Sequence, residues 1–165
     1  MSYDKIISKP IFLFELDYKL ELYLKKYIEN REKQEISGGL IGDIEGGKSN
    51  QIIFNVKKFL PFPNLAEKKG YFAKPPKIWY DILEEWRLFY FNEFKFIGFL
   101  HTHPEGTSKI SEQDKEFATF LREKYGTMIF IIISENKNLR SYLFDENGFK
   151  LIKGKTEFFK LISKK

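Results

Sequence analysis

Hydrophobic and polar positions alternate along this chain in two rhythms, one with a period near two and one near 3.6 residues. PIFLFEL, residues 10–16, reads as a strand, and Asp17 behind it can cap a helix. Leu20, Tyr23, Leu24, Tyr27 and Ile28 then recur at helical spacing, which predicts a helix of about four turns. ISGGLIGDIEGG and NQIIFNVKKFLPF read as two strands pairing as a hairpin around a Gly-Gly turn. Residues 61–77, PFPNLAEKKGYFAKPPK, hold four of the six prolines and no clear period, which predicts a surface loop or insertion. Trp79, Ile82, Leu83, Trp86, Phe89 and Tyr90 lay an apolar stripe along a second helix. FKFIGFLH predicts a central strand. A third helix runs from near Ser111 to about Lys124, with Phe117, Phe120 and Leu121 inward, and TMIFIIIS predicts a buried strand after it. NLRSYLFD and GFKLIKG supply two more strands around a turn at Asn147 and Gly148. Strands and helices alternate without an internal repeat, so the expected architecture is α/β: one domain over residues 1–165, a mixed β-sheet flanked by helices, with a Pro-rich insertion at 61–77.

Composition narrows the chemistry more than the fold. With 165 residues and 42% hydrophobic positions the chain can bury a core, and its 18 Phe, 9 Tyr and 2 Trp read as core material. The absence of cysteine excludes a disulfide framework, a thiolate zinc site, an iron–sulfur cluster, a cysteine nucleophile and a zinc nucleobase deaminase. No run approaches the roughly 20 apolar residues that span a bilayer, so no membrane partner and a cytoplasmic location are expected. The formal net charge of +5 comes from lysines scattered along the whole chain. No basic block is interleaved with aromatics, so no nucleic-acid partner is expected.

Both histidines of the chain fall in one short run, FLHTHPEGTSKISEQD, residues 99–114. Side chains at i and i+2 of a strand share a face, so His101 and His103 can aim two imidazoles at one point. Pro104 ends the ladder, and the loop behind it can bring Ser111 and Asp114 back over the histidines. Two histidines and an aspartate leave a fourth position open, the mark of a catalytic zinc site. The same residues have a blander reading. Ser111 to Asp114 has the form of a capping box, and His-x-His at a strand end can be two satisfied polar side chains.

HTHPEGTSKISEQD resembles the signature of the JAB/MPN metalloenzymes, the JAMM motif: His-x-His-Pro, six residues, Ser, two residues, Asp. EISGGLIG resembles that family's upstream element, in which a glutamate at the end of the first helix precedes a Gly-rich strand. The resemblance implies an MPN/JAB fold of the cytidine-deaminase-like kind and one zinc ion per chain held by His101, His103 and Asp114. It further implies Glu35 as general base and Ser111 as an oxyanion donor. The activity implied is hydrolysis of a peptide or isopeptide bond after the C-terminal glycine of a ubiquitin-like or sulfur-carrier protein. Tyr71 and Phe72, in the Pro-rich segment, are candidate contacts to that partner. Two other readings are a non-catalytic MPN-type protein-binding scaffold and a 2-His-1-carboxylate iron oxygenase. Oligomeric state is left open by the sequence.

Overall fold

A computed structural model describes residues 9–31, 34–64, 77–104, 107–134 and 139–154. The chain runs β1 (Ile11–Leu16), α1 (Tyr18–Glu29), β2 (Ser37–Gly46), β3 (Gln51–Phe62), α2 (Lys77–Tyr90), β4 (Lys95–His103), α3 (Glu112–Tyr125), β5 (Met128–Ser134), β6 (Leu139–Asp145) and β7 (Gly148–Gly154). The expected strands and helices are all present. Asp17 caps α1 by accepting from the Lys19 amide at 3.0 Å, although the helix stops at Glu29, short of four turns. β2 and β3 form the hairpin, and Ser37 pairs with Phe62 at its far end. β3 therefore extends two residues into the segment that its prolines marked as a loop. Residues 65–76 of that segment, with Tyr71 and Phe72, lie outside the described residues.

The expected arrangement of the strands is corrected. They do not form a mixed sheet flanked by helices, nor the MPN/JAB, cytidine-deaminase-like fold that the resemblance implied. They close into a seven-stranded mixed barrel in the order β1-β3-β2-β4-β5-β6-β7. β1 makes the closure, running parallel to β3 over six residue pairs and parallel to β7 at Leu13 and Phe14. Alternation along a strand says which side chains share a face; it does not say whether the first strand meets the last.

Two apolar clusters lie on opposite faces of this sheet. Phe14, Leu40, Phe54, Val56, Ile97, Ile131 and Leu143 meet Leu20, Leu24 and Ile28 of α1 in the first. Phe99, Met128, Phe130, Tyr142 and Phe144 meet Tyr80 and Leu83 of α2 and Phe117, Ala118 and Leu121 of α3 in the second. β5 is buried along its whole length because its successive side chains feed the two clusters in turn. Backbones pass closely where glycine stands. A Cβ on Gly42, beside the irregularity in the β2–β3 pairing, would lie 1.8 Å from the Asn55 carbonyl oxygen.

Candidate metal centre

The site is built where β4 ends and α3 begins. β4 lies between β2 and β5, pairing antiparallel with one and parallel with the other, so the end of the strand is held on both sides. Phe99, His101 and His103 share the face that looks toward α3. Phe99 packs edge-on against Phe117 and beside His101, giving that imidazole an aromatic floor. The strand stops at His103, one residue before Pro104, as its missing amide requires.

The capping-box reading of Ser111 to Asp114 is observed, and it leaves Asp114 in a group that could hold a metal ion. The Ser111 hydroxyl accepts from the Asp114 amide at 3.1 Å, and Asp114 Oδ2 accepts from the Ser111 amide at 2.7 Å, a complete capping box. Oδ2 also accepts from the Ser111 hydroxyl at 2.7 Å. The cap fixes the carboxylate so that its other oxygen, Oδ1, stands 2.9 Å from His101 Nε2. Capping is thus the means by which the ligand is oriented. The one proton of the Ser111 hydroxyl is directed at Asp114, so donation to an oxyanion requires that hydroxyl to rotate.

His101 Nε2, His103 Nε2 and an Asp114 oxygen form a group within 4.8 Å that could hold a metal ion. The two Nε2 atoms are 2.9 Å apart, and His103 Nε2 lies 3.6 Å from Asp114 Oδ2. Ligands of a tetrahedral ion with bonds of about 2.0–2.1 Å sit about 3.3 Å from one another. The two Nε2 atoms at 2.9 Å are somewhat closer than that, and the two imidazoles meet different oxygens of the carboxylate, His101 at Oδ1 and His103 at Oδ2.

Protonation favours a cation as well. His103 Nδ1 is 2.6 Å from the Thr107 carbonyl oxygen, which can only accept, so Nδ1 carries the proton and Nε2 turns a lone pair inward. Burial and the neighbouring His101 ring lower the His103 pKa, which keeps that imidazole neutral and able to coordinate. Burial alone would raise the Asp114 carboxyl, but hydrogen bonds from His101 and Ser111 outweigh it and hold the group at about 2. A neutral imidazole and a carboxylate thus converge on His101 Nε2 and call for a positive centre, a proton or a metal.

Glu35 joins the site from a different part of the chain. It is not at the end of α1, which closes six residues earlier, but in the segment leading into β2. Thr102 stitches that segment to the histidine strand: its amide donates to the Ile36 carbonyl at 2.8 Å and its hydroxyl accepts from the Ile36 amide at 2.9 Å. Ser37 pairs with His101 in the next register position, and Asn64 donates to the Glu35 carbonyl at 3.1 Å. The Glu35 side chain is buried, and its Oε1 has no hydrogen-bond partner among the described residues. Burial, and then the charge of Asp114, push its carboxyl up to about 8. A buried carboxyl with one oxygen unpartnered among the described residues, close enough to sense Asp114, fits a place where water or a cation belongs.

Thr102, Thr107 and Asn64 were not singled out from sequence. Thr102 could have been found, because a polar residue between two histidines on a buried strand must point to the opposite face and needs a partner there. The Thr107 and Asn64 contacts carry no such signal.

No family model matches the sequence, and no curated protein does. Among solved structures, the solution structure of protein DSY2949 from Desulfitobacterium hafniense is similar, with a TM-score of 0.61 at 19% identity over 86% of this chain and 91% of that one. At that identity the likeness bears on the fold alone. Among the described residues no helix is long and apolar enough to cross a membrane.

Proposed function

We propose that the chain is a zinc-dependent hydrolase of the JAMM type, cleaving a peptide or isopeptide bond after the C-terminal glycine of a ubiquitin-like or sulfur-carrier protein. The observation that carries this reading is the convergence of His101, His103 and Asp114 on a group that could hold a metal ion, with the buried Glu35 carboxyl close enough to feel the charge of Asp114. Zinc at those ligands would supply a Lewis acid for the scissile carbonyl and a water of lowered pKa.

The chain's own residues supply the rest. Ser111 holds the Asp114 carboxylate and Thr107 holds the His103 tautomer, so the ligands are oriented before substrate arrives. Glu35 takes the proton of the attacking water as the oxygen–carbon bond forms. When the carbon–nitrogen bond breaks, the same carboxyl returns that proton to the leaving amine. Its raised pKa suits a group that must both accept and give a proton near neutral pH.

The test is cleavage of a ubiquitin-like or sulfur-carrier fusion by zinc-loaded protein, wild type against Glu35→Gln. Cleavage after the terminal glycine is expected, slowed about a hundredfold or more in the variant at equal zinc content. Equal rates in the two proteins, or intact fusions with zinc-replete wild type, would overturn the proposal. The second outcome would favour the binding scaffold.

A further inference from the structure

On the same outer face as the site, the structure leaves an apolar surface uncovered. Along α2, Trp79, Ile82, Trp86 and Phe89 follow one another at spacings of three, four and three residues, the rhythm of a two-helix seam. The barrel side of the helix is taken by Tyr80 and Leu83. Within the seam Trp79 and Ile82 are half-buried, Trp79 against the outer cluster, while its other half looks outward: Trp86 is 56% exposed and Phe89 81%, with Ile78 at 62% and Tyr90 at 63% beside them. A groove of about 260 Å³ continues the seam, walled by Leu60, Pro61 and Phe62 on β3 and by Trp79, Ile82 and Trp86 on α2. We propose that two copies of the chain associate through this face, their α2 helices antiparallel about a two-fold axis.

Area, pattern and charge favour a second copy as the occupant. Large apolar side chains present about 150–250 Å² each, so Ile78, Trp86, Phe89 and Tyr90 at their observed exposures offer about 500 Å² per copy. Two copies bring together about 1,000 Å², the lower bound of a specific interface, before the groove walls are added. The seam also reads the same in both directions. A two-fold axis between residues 82 and 86 sets Trp79 against Phe89 of the second copy and Ile82 against its Trp86, the self-complementarity that an isologous interface needs. Two acidic groups on α2 are already paired within the chain, Glu84 with Arg87 and Asp81 with Lys124, which reduces repulsion between two such helices. The inference is independent of the hydrolase reading.

Sedimentation velocity of the full chain from about 1 to 100 µM tests it. Wild type should sediment as a dimer in the upper part of that range. Phe89→Glu, at an exposed position, should weaken association more than about 30-fold and keep the wild-type circular dichroism spectrum and melt. Trp86→Ser, one turn away, provides a second probe should Phe89→Glu misfold. Leu151→Glu, 61% exposed on β7, should leave association unchanged. A wild type that stays monomeric at about 100 µM, or a dimer indifferent to both α2 variants, would overturn the proposal. A persistent monomer would assign the surface to a different protein or to residues 65–76.

Discussion

α2 and α3 both pack on the outer face of the barrel, and they use their sequences in opposite ways. α3, EQDKEFATFLREKY, is largely polar; it buries a stripe of Asp114, Phe117, Ala118 and Leu121, packs the half-buried Phe120 and Tyr125 along the edges of that stripe, and turns most of its charged residues to water. α2, KIWYDILEEWRLFY, is far more apolar, yet Ile78, Trp86, Leu88, Phe89 and Tyr90 are exposed. A helix laid on a sheet can bury only a stripe of about 100°. α3 has apolar residues for one stripe and α2 has enough for two. The polar helix is therefore complete within the chain and carries Asp114 of the candidate metal group, whereas the apolar one has a face left over, which we assign to a second copy of the chain. Surplus apolar pattern on a helix is a sign of association rather than of depth.

The largest effect should come from the ligand that α3 carries. Asp114→Ala removes one of the three side chains of the proposed zinc site in a chain with only two histidines, so zinc binding should fall by about a thousandfold or more and the proposed hydrolysis with it. Elemental analysis of reconstituted protein checks this; full zinc occupancy in the variant would move the metal elsewhere.

Leu121→Ala against Leu88→Ala compares the two helices directly. Leu121 is fully buried and Leu88 is 57% exposed, so chemical denaturation should show a loss of about 2–5 kcal/mol for the first and under about 0.5 kcal/mol for the second. Similar losses would mean that α2 is as tightly integrated as α3.

A smaller effect concerns pH. The folded-state pKa of Glu35, about 8, lies above its ordinary value of 4.5, so between these values the folded protein binds more protons than the unfolded one. The Glu35 contribution to the stability of the chelator-treated protein should therefore fall as pH rises from about 4.5 to about 8, by an amount of the order of a few kcal/mol, against an opposing gain as pH rises toward 6.5 from His103, whose pKa is lowered. Asp114 has the opposite sign: its contribution is present above its ordinary 3.8 and lost as pH falls toward about 2. Melting the metal-free wild type and Glu35→Gln at pH 5 and pH 8 isolates the Glu35 contribution, which the variant should lack, and a further melt near pH 3 reports on Asp114.

Ser111→Ala should cost the least on the α3 side, about 1 kcal/mol from the lost cap. Calorimetry gives that figure, and a parallel zinc titration should show weaker binding by about 10–100-fold because Asp114 loses the hydroxyl that orients it. Unchanged zinc affinity would reduce Ser111 to a helix cap.

The local features were legible in the sequence. His101 and His103 share a face because strand geometry has a period of two, and Ser111 with Asp114 opens a helix because three residues separate cap and partner. Each rule relates a residue to its own chain neighbours, so the ligand run from His101 to Asp114 could be read without any knowledge of the fold. Glu35 was different. It was placed by resemblance, and what holds it at the site is the pairing of Ser37 with His101 and the Thr102 hydrogen bonds to Ile36, contacts across more than sixty residues that no local rhythm encodes.

Tertiary structure alone decided three further things. Closure of the barrel rests on β1 meeting β7, the two described strands most distant in sequence, and alternation in each is equally compatible with an open edge. The His103 tautomer depends on which carbonyl the loop offers, and that is the Thr107 oxygen. The outward face of α2 was also hidden, because an apolar stripe reports a helix's own axis and not which side the barrel covers. Periodicity fixes directions relative to a single element; what lies in those directions is set by packing among all of them.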